Sequence, residues 1–140
     1  ISGQSRTGEG LVRSVEKAIK KASINTDEID YISAHGTATK FNDEMEAIAF
    51  DRLQMNQVPV NSLKAYLGHT LGAAGLIETL IGMASVKEGT LLASKGFETT
   101  GVSKRIKVLK DNLDGDFKTM LKTSSGFGGS NAAAIFKTLG

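Results

Sequence analysis

The sequence predicts an α/β domain built on a mixed sheet, with parallel crossovers early and an antiparallel edge or hairpin at the C-terminal end. Three observations predict it. Helical and strand-like patterns alternate from Leu11 to Val86. A strand-rich stretch follows, with segments near Thr90–Ala93, Arg105–Leu109, Thr119–Ser125 and Ala132–Phe136. Between them, Thr70–Val86 is apolar nearly all round, as befits a helix placed inside a protein.

Each element has its own signal. Ile1–Gly10 is rich in glycine and serine and reads as an incoming loop. Leu11, Val12, Val15, Ala18, Ile19 and Ala22 recur at helical spacing, with Arg13, Glu16, Lys17, Lys20 and Lys21 on the other face. Thr26–Glu28 suggests a short capped turn, and Ile29–Ala34 a buried strand running into His35-Gly36. Asn42 is placed to cap a second helix, with Asp43 and Glu44 favourable in its first turn and Met45, Ile48, Ala49 and Leu53 as its inner stripe. Val58-Pro59-Val60 reads as a short strand, its proline near the start where a missing N–H is tolerated. Gly101 and Asp111–Asp116 read as turns.

The bulk properties narrow the classes. At 140 residues, 40% hydrophobic and 23% charged, the chain fits one ordinary globular domain spanning residues 1–140. A net charge of +2 gives no electrostatic case for nucleic acid. No apolar run approaches the roughly 18 residues of a membrane span, and no signal-peptide pattern is present. With no cysteine there are no disulfides, thiolate ligands or thiol nucleophile in this chain, which fits a reducing, cytoplasmic setting. Ile rather than Met at position 1 reads as a processed or truncated product.

Only two histidines occur, and both fall at strand-to-helix connections, where functional groups gather in doubly wound sheets. His35 opens His35-Gly36-Thr37-Ala38-Thr39; His69 follows Gly68 and precedes the buried helix. One such histidine would read as a hydrogen-bonded loop residue; two on equivalent connections, with Lys64 nearby, point to a site. No carboxylate stands at a metal-ligand spacing, so no metal is expected. Glu78 interrupts an apolar helix and needs a partner if buried, and Lys64 is a candidate; otherwise Glu78 would lie on a polar strip facing solvent. Gly126-Phe127-Gly128-Gly129-Ser130-Asn131 lies between two strands. It reads either as a glycine-rich hairpin or as a loop whose N–H groups converge on an oxyanion.

His-Gly-Thr-x-Thr, Asn61-Ser62-x-Lys64-x-x-x-Gly68-His69, Gly72-Ala73-Ala74-Gly75-x-x-Glu78 and Gly126-Phe127-Gly128-Gly129-x-Asn131 stand in that order. Together they resemble the β-ketoacyl synthases, condensing enzymes of the thiolase-like family, from about Gly8 to Phe136. The resemblance implies the second of two similar αβ halves. Its sheet would be a mixed, five-stranded one with helices on both faces, and its first strand would lie upstream of Ile1. It implies that His35 and His69 donate hydrogen bonds to a malonyl thioester oxygen, that Lys64 holds them in place, and that Glu78 pairs with Lys64. Thr37 and Thr39 would bind the phosphopantetheine arm. Phe127 would supply an oxyanion N–H and gate the acyl pocket, with Gly126 and Gly128 permitting its movement. No cofactor is bound directly, since substrates ride on acyl carrier protein. The implied partners are that carrier, the N-terminal half and a second copy in a homodimer.

The chain departs from the family's pattern in three places. The nucleophilic cysteine is absent from this half. Thr123-Ser124-Ser125 replaces the usual Asn-Ser-Phe, and Leu91–Lys95 replaces a Pro-Thr-rich stretch. The chain alone is expected to be inactive in condensation and to expose apolar surface along Thr70–Val86. The alternatives are a non-catalytic, chain-length-factor-like partner subunit, and a different condensing or thiolytic enzyme on the same fold. Lys104, Arg105, Lys107 and Lys110 read as a solvated strand edge, with contact to an acidic carrier as the other possibility.

Overall fold

A computed structural model describes residues 5–139. The N-terminal helix α1 (Glu9–Ala22) starts two residues before its apolar stripe, because Gly8 takes φ +66°. A Cβ there would sit 3.0 Å from Ala49 Cβ, so the glycine also lets α1 approach the second helix. Strand β1 (Tyr31–Ser33) leads to α2 (Lys40–Arg52), then β2 (Pro59–Asn61), the single-turn α3 (Lys64–Leu67) and α4 (Ala74–Glu88). Short strands β3 (Thr90–Leu91), β4 (Lys107–Val108) and β5 (Leu113–Asp114) precede the long hairpin of β6 (Thr119–Ser125) and β7 (Asn131–Lys137).

Five strands form one sheet in the order β4-β2-β1-β6-β7. All neighbours are parallel except β6 and β7, so the mixed sheet with a C-terminal antiparallel hairpin is the architecture observed. Helices cover both faces. Ile32 and Leu121 point toward α1 and α2, meeting Leu11, Val15, Met45 and Phe50. The alternate residues Tyr31 and Met120 point toward α4 and join Val86, Leu91 and Leu109. The strand expected upstream of Ile1 lies outside the described residues.

Three local expectations are corrected. Asn42 is not a cap: Thr39 precedes α2, and Asn42 is buried inside it with its amide on Glu46. The Asp111–Asp116 segment is more than a turn, since β5 pairs antiparallel with β3 and packs Leu113 against the second core. The Thr70–Val86 helix begins as a 3₁₀ turn at Leu71–Ala73, with α4 proper starting at Ala74, while the apolar surface expected along it is exposed at Leu76 (66%) and Leu80 (62%). No helix among the described residues is long and apolar enough to cross a membrane.

Candidate active site

The parallel register aligns Ser33 with Asn61 on one side and Lys122 on the other. The connections after β1 and β2 and the end of β6 therefore open on one edge of the sheet. Tyr31 Oη donates to Asn61 Oδ1 at 2.5 Å, and Asn61 Nδ2 donates to the Leu92 carbonyl at 2.7 Å, which fixes the end of β2. Ser62 Oγ then donates to the Gly36 carbonyl at 2.6 Å and ties the two connections together. Gly36 has φ +40°, and a Cβ on it would lie 2.5 Å from Ser62 Cβ, so this position requires glycine.

Glu46 anchors the backbone of His35. Its carboxylate accepts from the His35 N–H (2.9 Å), the Gly36 N–H (2.7 Å), Asn42 Nδ2 (2.9 Å) and Thr123 Oγ1 (3.1 Å). Burial pushes the Glu46 pKa up, and the hydrogen bonds oppose that shift by favouring the charged form.

Lys64, at the start of α3, points inward. Its Nζ donates to Glu78 Oε1 at 2.6 Å and to the His35 carbonyl, and stands 3.4 Å from His35 Nδ1. Glu78 is 1% exposed, so it is the buried member of an ion pair and not part of a solvent-facing strip. Its second oxygen, Oε2, accepts from Lys122 Nζ at 2.6 Å.

His69 is exposed, with its ring centroid 5.3 Å from that of His35 and the planes 80° apart. The Leu71 N–H donates to His69 Nδ1 at 3.1 Å. Lys64 likewise offers a proton to Nδ1 of His35. Both Nδ1 atoms are thus acceptors, which leaves Nε2 as the ring nitrogen that carries the N–H. Burial, with Lys64 and then Lys122 adding positive charge, pulls the His35 pKa down to about 4.

The remaining expected residues divide between those that line the cavity beside the site and those that do not. Thr37 Oγ1 and Thr39 Oγ1 are 2.7 Å apart, and the Thr37 N–H donates to Asp43 at 3.2 Å. A cavity of about 720 Å³ is lined in part by Gly36, Thr37, Ser62, Lys64 and His69, with the 94–102 segment as its far wall. Thr39, Phe127, Gly126 and Gly128 are not among its lining residues. Phe127 is 90% exposed in a tight turn at the end of β6, closed by the Gly126 N–H on the Ser130 carbonyl (2.8 Å), with Gly128 at φ +78°. Among the described residues no group of three His, Cys, Asp or Glu side chains could hold a metal ion.

Sequence reasoning passed over Glu46 and Lys122, both essentially buried. The available signal for Lys122 was a lone charge inside an otherwise uncharged strand. For Glu46 it was an acid four residues after Asn42, within the inner stripe of α2.

The strand order, the crossovers and the motif-bearing connections at one sheet edge define a thiolase-like ketosynthase half. A family model described as the C-terminal domain of β-ketoacyl synthases matches residues 1–98. The chain belongs to that family. It is 35% identical to 3-oxoacyl-[acyl-carrier-protein] synthase II, chloroplastic, of Arabidopsis thaliana, over 92% of this chain and 25% of that protein. It is 31% identical to 3-oxoacyl-[acyl-carrier-protein] synthase 2 of Rhizobium meliloti, over 98% of this chain and 33% of that one. Among solved structures it superposes with a TM-score of 0.94 on a type II polyketide ketosynthase in complex with its acyl-carrier protein (AntDE:AntF). That match is 27% identical and covers 99% of this chain and 35% of the other. The chain thus spans a quarter to about a third of the length of these proteins.

Proposed function

We propose that residues 1–140 form the C-terminal half of a 3-oxoacyl-[acyl-carrier-protein] synthase working in fatty-acid or polyketide-type synthesis. The observation that carries this reading is the pair of rings 5.3 Å apart whose Nδ1 atoms both accept, leaving two Nε2–H groups free to donate. In the proposed reaction a malonyl thioester on acyl carrier protein loses CO₂ as its carboxylate C–C bond breaks. The electron pair moves into an enolate whose oxygen takes hydrogen bonds from His35 and His69. The enolate carbon attacks an acyl thioester held on a cysteine of the N-terminal half and expels that thiolate, which leaves a 3-oxoacyl thioester on the carrier. A neutral His35 suits this role, because it donates without being consumed as an acid.

Lys64 and Glu78 hold the pair. Thr37 and Thr39 offer hydroxyls to the phosphopantetheine arm, and Thr37 already lines the cavity. Phe127 provides the oxyanion N–H and a gate, with Gly126 and Gly128 as its pivots. Since this chain has no cysteine, it is inactive in condensation without the N-terminal half. The partners are that half, acyl carrier protein and a second copy in a cytoplasmic homodimer. Support for the carrier comes from the solved ketosynthase–carrier complex that this chain resembles.

The test uses the intact protein with carboxyl-labelled malonyl-carrier protein and an acyl-carrier protein. Wild type is expected to release labelled CO₂ and form the 3-oxoacyl product, and His69→Ala to lose about 100- to 1,000-fold in rate. Release of CO₂ without condensed product would assign a decarboxylase instead. Neither activity, with an active homologue bound, would assign a non-catalytic partner subunit.

A further inference from the structure

Lys122 is a lysine in the middle of the sheet, paired with β1 and β7 and 4% exposed. Its ammonium meets three acceptors: Glu78 Oε2 at 2.6 Å, the Ala34 carbonyl at 3.2 Å and the Ser33 carbonyl at 3.3 Å. Lys64 Nζ also meets three: Glu78 Oε1, the His35 carbonyl and His35 Nδ1. Each ammonium proton has one acceptor, and each oxygen of Glu78 has one lysine. The donors are therefore fully assigned, each ammonium proton to its own acceptor.

We infer that Lys122 is a positioning residue, which engages Glu78 Oε2 and the carbonyls ending β1, draws that oxygen away from Lys64, and so directs the third proton of Lys64 to His35 Nδ1, holding the ring as the Nε2–H tautomer. Without Lys122, Glu78 could offer both oxygens to Lys64. The third proton would then have a better acceptor than an imidazole nitrogen, because charge-assisted bonds to a carboxylate are the stronger kind. The carbonyls just ahead of His35 would lose their anchor at the same time. As a statement about catalysis this rests on the condensing-enzyme reading above; as a statement about the His35 ring it does not.

The charged and titratable groups around His35 come from every packed element: Lys64 from α3, Lys122 from β6, Glu78 from α4, His69 across the site, and Glu46 of α2 on its backbone N–H. Removing Lys122 takes away one of the positive charges that keep the ring neutral. The expected change is thus a rise in the protonation midpoint, together with loss of a single tautomer.

The experiment is two-bond ¹H–¹⁵N spectroscopy of the intact protein labelled at histidine, titrated from neutral to acid pH. In wild type, His35 is expected as the Nε2–H tautomer with a midpoint near 4. In Lys122→Met the midpoint rises toward the ordinary histidine value and the Nδ1–H form appears, while the His69 signals stay in place. In the same variant kcat falls roughly tenfold with KM unchanged, and the acid limb of its pH profile moves up with the His35 midpoint. Lys122→Gln, which keeps a donor for Glu78 and Ala34, restores the single tautomer without restoring the midpoint. A wild-type His35 in the Nδ1–H form overturns the inference without any variant. So does a Lys122→Met spectrum with the wild-type tautomer and midpoint. If His35 responds to Lys122 in a protein that makes no condensed product, the positioning stands and the condensing-enzyme reading falls.

Discussion

Replacing Glu78 by alanine would leave two lysines facing each other in a buried site with no counter-charge between them. Removal of one partner from a buried ion cluster costs about 3–5 kcal/mol, because the remaining charges keep their desolvation penalty. Glu78→Ala in the intact protein is therefore expected to lower the urea-unfolding free energy by that amount. A loss below about 1 kcal/mol, the scale of an exposed pair, would show that the bridge is not buried in solution. His35 makes a pH prediction. Its folded pKa of about 4 lies below the ordinary value of 6.5, so between those values the unfolded chain binds the extra proton. Its contribution is thus complete above pH 6.5 and declines as pH falls to about 4. The check is unfolding midpoints of wild type and His35→Gln between pH 7 and pH 4.5, with the steeper acid loss in wild type. At this scale the sequence offered Lys64 as a partner for Glu78, with a solvent-facing strip as the alternative, because a buried acid needs a cation and apolarity all round α4 does not say which residues are buried. Lys122 stood out as a lone charge, but a central strand is covered on both faces, so the sequence carried no sign of where that charge points.

Among the elements, α4 carries the clearest consequence of packing. Its covered side is built mostly from small or polar residues (Ala74, Gly82 and Ser85 beside Glu78), with Val86 near its C-terminal end, while Leu76 and Leu80 lie outward. A Cβ at Gly82 would fall 2.5 Å from Met120 Sδ and 3.6 Å from the Tyr31 ring. Gly82→Val is expected to cost about 1–3 kcal/mol by overpacking, and thermal unfolding reads it. A Gly82→Val/Met120→Ala pair should lose less than the sum of its single changes, because the second substitution makes room for the first. An additive result would place the strain elsewhere. Hydropathy could not orient this helix: with apolar residues on every side, periodicity names no inner face. The same limit explains Asn42, whose type favours a helix cap but whose amide serves Glu46.

For the whole molecule, the order of helices and strands was readable from alternation and spacing, and the C-terminal hairpin from its two strand-like runs. The β3–β5 pair was not, since two-residue strands carry no period. Leu71, Leu76 and Leu80 are each more than 60% exposed along one stretch. This chain expressed alone is expected to self-associate through that surface. Sedimentation of the chain with Leu76→Lys and Leu80→Lys should show less association than wild type, and equal profiles would rule the surface out.

Strand β1 has a parallel neighbour on each side and a helical layer over each face, with Tyr31, Ile32 and Ser33 at most 1% exposed. Fraying at the edges of the sheet, at β4 or β7, leaves those hydrogen bonds closed. Amide protons from Tyr31 to Ala34 should then exchange only when the fold opens as a whole, so His35 is carried on the last part of the molecule to let go.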